Sequence, residues 1–157
     1  MPKFVRIILA FLAGIFTAYL IGVSLNAQFV IAAHGVPVEL GDRLNMTAFD
    51  ISSMVLYLVI IAVGFFIAFL IASLLKRALP GLASVAYPIA GAAAIGVALG
   101  LMYMQFQTVP VSGARGMFGF VAQMLAGGLG GWAFGKLASS PARLEANPPA
   151  SHAQPQA

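Results

Sequence analysis

Residues 116–137, GMFGFVAQMLAGGLGGWAFGKL, constrain the fold of this chain more than any other stretch. As a helix they are long enough to cross a bilayer. Gly119, Gln123, Gly127, Gly131 and Gly135 recur at every fourth residue and share one stripe. In water such glycines weaken a helix by roughly 1 kcal/mol each relative to alanine. In lipid the backbone must stay hydrogen-bonded, and the same stripe lets a second helix approach closely. The stretch therefore predicts a membrane helix with a glycine-zipper face.

Composition supports this. Of 157 residues, 61% are hydrophobic and 8% charged, with a mean hydropathy of +0.99. Soluble domains carry about 25% charged residues, so an ordinary soluble domain fits poorly, and the length fits one membrane domain. The net charge of +4 does not point to nucleic acid as a partner. Its basic residues stand singly or in pairs beside apolar segments, as orientation signals do. Cysteine is absent, so there is no disulfide framework, thiolate nucleophile or Cys-ligated metal.

The expected fold is an all-α membrane protein, a four-transmembrane-helix bundle with short loops and one longer extracytoplasmic loop. The spans are expected at 4–30, 54–75, 82–104 and 116–137, the long loop at 31–53, and a disordered cytoplasmic tail at 139–157. A cleavable signal peptide is the alternative reading of the first run. The apolar part 7–23 is long for that, and cleavage after Ala27 would have Leu25 where a small residue is preferred. Each of the first three spans repeats the small-residue pattern: Ala10, Gly14, Ala18, Gly22 and Asn26; Gly64, Ala68 and Ala72; Ala92, Gly96 and Gly100. Pro88 is expected to kink the third span. In the long loop, 36–40 reads as a short extended piece and 42–49 as a surface helix, with Asp50, Ser52 or Ser53 capping the second span. The sequon at Asn45 would matter only in a glycosylating secretory pathway.

Orientation follows from charge. One side carries Lys3, Arg6, Lys76, Arg77, Lys136 and Arg143; the other carries Arg43 and Arg115 beside Glu39, Asp42 and Asp50. The positive-inside rule places both termini in the cytoplasm, as for a bacterial inner-membrane protein. Tyr57, Tyr103 and Phe118 then fall near the outer boundary, and Tyr87 and Trp132 near the inner one.

Candidate chemistry is sparse. No ionisable residue lies deep in a span, which argues against proton relays and ion-coupled carriers. Only His34 and His152 exist, so axial haem ligation is not expected, and no cofactor is. His34 with the loop carboxylates matches no metal-site spacing. No nucleophile elbow or phosphate loop occurs, and no enzyme activity is expected. Gln123, inside the fourth span, reads first as interhelical glue and second as lining for a solute path. A face-to-face Asn26 and Gln123 would form a polar spot in the outer half. Arg115, flanked by Gly113 and Gly116, reads as an interfacial residue pairing with Asp42 or Asp50. Its sharper reading is a loop anchor or a grip on an anionic group.

The small-residue stripes either pack the four helices of one monomer or present an interface. Small residues on more than one face of the fourth span, at 126–128 and 130–131, keep the second possibility open. The expected function is a non-catalytic accessory, assembly or scaffold subunit acting through helix packing. Lipid and other membrane helices would be its partners, with Gly119, Gln123, Gly127, Gly131, Gly135, Gly96, Gly100, Gly14 and Gly22 as packing or interface residues. The alternative is a small homo-oligomeric channel or facilitator for a neutral or lipid-like solute.

Overall fold

A computed structural model describes residues 2–35 and 37–139. The expected tail at 139–157 lies outside them except for Ser139, as do Arg143 and His152. Five helices follow one another: α1 (Lys3–His34), α2 (Leu40–Ser53), α3 (Val55–Ala78), α4 (Ala86–Phe106) and α5 (Met117–Ala138). Four of them, α1, α3, α4 and α5, are long and apolar enough to cross a membrane. No strand occurs among the described residues.

The spanning helices form a ring. α5 packs most closely, against α1 on one side and α4 on the other; α3 leans on α4 and, more lightly, on α1. One aromatic from each helix meets near the end carrying Lys76 and Lys136. Phe69 stacks on Phe134 at 4.5 Å, and Tyr87 stands edge-on to Phe134 at 4.7 Å. Phe11 closes the group, edge-on to Phe69 and Phe134 at 6.3 and 6.4 Å. Such pairs contribute about 0.5–1.5 kcal/mol each beyond burial.

Several boundaries differ from expectation for definable reasons. At 32 residues, α1 runs about 48 Å, well beyond a hydrocarbon core of about 30 Å. It stops where Gly35 adopts φ 63° and returns its N–H to Ala32. The outer turns of α1 carry α2, a longer helix than expected for this loop. Residues 37–39 have no regular structure; Val36 is outside the described residues. Ser52 and Ser53 do not open α3. Their hydroxyls donate back to the Phe49 carbonyl at 2.8 Å and close α2, leaving Met54 as the single residue between two helices. α4 starts at Ala86, so Pro88 sits in its first turn, where a missing N–H costs nothing; a mid-helix kink has no cause. The connection between α4 and α5 is not a surface loop. It turns inward through Ser112–Ala114, burying Val109, Val111, Gly113 and Ala114.

Candidate functional site

α5 answers why glycine and alanine occur on two of its faces. A Cβ on Gly130 would lie 2.5 Å from the Gly14 carbonyl oxygen and 2.8 Å from the Ala18 methyl group on α1. On the other face, a Cβ on Gly127 would strike the Gly91 backbone and Ile95, and one on Gly131 the backbone of Tyr87 and Pro88. Gly119 abuts Gly113 and Ala114, and Gly135 faces the Tyr87 ring. Both faces of α5 are thus covered within one chain.

The other stripes divide. On α1, Gly14 meets Gly130 and Phe134, Gly22 meets Gln123, and Ala10, Ala18 and Asn26 are buried with them. On α4, Tyr87, Gly91 and Ile95 meet the glycines of α5, and of the expected stripe Ala92 approaches Gly128 while Gly96 faces the flexible Met124 side chain. A Cβ on Gly100 would meet nothing within 4 Å. Gly100 borders a hollow of about 310 Å³ shared with Tyr103, Arg115 and Phe120, so it does not pack. Gly91 was the residue to find; its only sequence signal is the four-residue spacing from Tyr87 and Ile95.

Two amides organise the half of the bundle next to α2. Gln123, 1% exposed, donates from Nε2 to the Gly22 carbonyl at 2.8 Å and accepts the Tyr57 hydroxyl on Oε1 at 3.0 Å. One turn further along α1, Asn26 donates from Nδ2 to Asp50 Oδ2 at 3.0 Å. Its Oδ1 accepts the Gly113 N–H at 2.7 Å. Asn26 and Gln123 share no hydrogen bond. Each instead ties three segments together: α1, α3 and α5 at Gln123; α1, α2 and the inward turn at Asn26. Tyr57, expected at the lipid boundary, points inward because Gln123 offers its hydroxyl an acceptor. The Tyr19 hydroxyl donates to the Ile51 carbonyl at 2.5 Å.

The charged residues form no cluster of their own. Arg115 does not reach Asp42 or Asp50: its Nε donates to the Val109 carbonyl at 3.1 Å, bracing its own connection. Asp42 is exposed in the first turn of α2. Arg43 reaches Gln28 and the Val38 carbonyl, at 3.0 and 3.1 Å. His34 turns back on Val30 of its own helix. Among the described residues, no three histidine, aspartate or glutamate side chains converge.

A further open feature is lateral. Between α3 and α4 runs an apolar groove of about 760 Å³, bounded by Val59 and Phe106 at one end and Leu75 and Leu82 at the other. Ala68, Ala90 and Ala94 form part of its floor, with Val63, Ile67, Ile71 and Val97 as exposed rims. It exists because α3 and α4 carry short side chains where they face each other. A Cβ on Gly64 would stand 3.7 Å from the Ala94 methyl group, an ordinary contact rather than an interlocked one.

These features define the class: an all-α integral membrane protein, a bundle of four apolar helices with its polar interior hydrogen-bonded and an open groove along one side. The chain matches no family model, no curated protein and no solved structure.

Proposed function

We propose that this protein is a non-catalytic accessory or assembly subunit of a bacterial inner membrane, with both termini cytoplasmic, and that partners dock on the open α3–α4 face. The groove is the observation that supports this reading. The small-residue faces of α1 and α5 are covered inside the chain, whereas here a run of small and apolar side chains lies open along two helices. Close approach on small residues is how membrane helices associate. A channel reading would want Gln123 on a solute path, but both ends of its amide are bonded inside the bundle.

Extraction in native-lipid particles, with mass and components measured, tests the proposal. A stoichiometric second protein, displaced when the exposed Ala93 on the groove wall becomes Trp (Ala93→Trp), is the expected result. A lone monomer overturns it. A clean homo-oligomer also overturns it and turns attention to solute flux.

A further inference from the structure

We infer that the hollow where α4, α5 and their connection meet binds the headgroup of one anionic phospholipid, with its phosphate on the Arg115 guanidinium. This hollow of about 310 Å³ shares no lining residue with the α3–α4 groove. The inference is therefore independent of the docking proposal above. Apolar walls run from Leu99, fully buried, to Phe120 and the exposed Met117. Arg115 and Tyr103 are the lining residues with polar side chains. The cation is thus part of the hollow itself. Arg115 Nε donates to the Val109 carbonyl at 3.1 Å, and Val109 is buried, so the guanidinium is tethered to a fixed stretch of backbone.

Charge, place and size together select the ligand. With Nε engaged, the two Nη groups of Arg115 remain, and neither has a hydrogen-bond or ion-pair partner among the described residues. A planar fork of N–H donors suits two oxygens of a phosphate. Arg43, a cation beside the same end of the bundle, is already spent on Gln28 and the Val38 carbonyl. No carboxylate lines the hollow, so the ammonium of a zwitterionic headgroup would meet no acid there. The place is the headgroup boundary, since α4 ends at Phe106 and α5 begins at Met117. From Leu99 to Tyr103 the hollow reaches about 6 Å along α4, and its volume is near the low end of small-molecule pockets, about 300–1,000 Å³. It takes a phosphate and the adjoining glycerol carbons, and leaves the acyl chains in the bilayer.

The test is native mass spectrometry of the full chain after exchange into vesicles of phosphatidylglycerol or phosphatidylcholine and release in mild detergent. One retained phosphatidylglycerol per chain is expected, with about tenfold less phosphatidylcholine, the ratio that one charge-assisted contact supports. Arg115→Gln should lower phosphatidylglycerol retention to the phosphatidylcholine level while the circular dichroism spectrum is unchanged. Gly100→Leu should do the same with every charge intact, because its side chain would grow into the hollow. Arg77→Gln, at the far end of the bundle, should leave retention unaltered. Millimolar inorganic phosphate should not displace the lipid, because a free anion leaves the apolar walls uncovered. Equal retention of the two lipids, no retention by the unaltered chain, or equal loss with Arg77→Gln would each overturn the inference. So would displacement by inorganic phosphate, or retention that survives either Arg115→Gln or a folded Gly100→Leu.

Discussion

Gly131 and Gly100 look alike in sequence, each a glycine in an apolar span with another glycine four residues away. Their surroundings make them opposites. A side chain on Gly131 would meet the backbone of Tyr87 and Pro88, which cannot yield without parting α4 from α5. One on Gly100 would enter open space beside Tyr103 and Arg115. Gly131→Leu should therefore cost about 3 kcal/mol, as overpacking against backbone does. Gly100→Leu should stay within about 0.5 kcal/mol of the original. Reversible unfolding in mixed micelles measures both. Gly131→Leu also reports on the monomer's own fold rather than on any assembly, because its stripe is covered internally.

Among the elements, α2 is tied to α1 through Tyr19, Asn26 and Gln28, and of these Asn26 also holds a second segment. Asn26 holds Asp50 with its donor and the Gly113 N–H with its acceptor, so one side chain seats both outer segments. Asn26→Asp keeps the acceptor but sets two carboxylates within hydrogen-bond distance, where both cannot be ionised without repulsion. Near neutral pH, α2 should loosen by about 1–3 kcal/mol. As pH falls through the carboxylate range, one group gains a proton and becomes a donor again, so the seat recovers. The cysteine-free chain allows a check. Thr47→Cys, on the α2 face towards Gln28, should label several-fold faster with Asn26→Asp than without it at about pH 7.5. The ratio should approach one at about pH 4.5.

The same elements show what the sequence could convey. Span number was legible because hydrocarbon thickness demands long apolar runs, and α1, α3, α4 and α5 supply them. The side of α4 that packs was not, because alanine and glycine occur all round it. The expected stripe of Ala92, Gly96 and Gly100 includes one open position, Gly100, and omits Gly91, where the two backbones come close. The inward course of the 107–116 connection was hidden as well, since its anchor, the Gly113 N–H, is a backbone group whose partner lies 87 residues away. Asn26 and Gln123 were visible as polar residues in apolar runs, but not the partners that satisfy them.

For the whole molecule, an even number of spans places the two ends on one side, and the basic end decides which. A fluorescent-protein fusion after Ser139 should fold and fluoresce in the cytoplasm, and alkaline phosphatase inserted at 37–39 should be active outside; the reverse pattern would invert the proposed orientation. The ring order also bears on how the molecule is made. α5 is the helix against which α1 and α4 pack most closely, yet it leaves the ribosome after both. Until it arrives, Gly14, Gly22 and Gly91 have no helix to receive, and the Tyr57 hydroxyl lacks its acceptor. The early spans therefore wait in the bilayer as loosely associated helices, and the bundle closes in one late step. During that interval the glycine faces of α1 and α4 and the Tyr57 hydroxyl are left to lipid or to other helices.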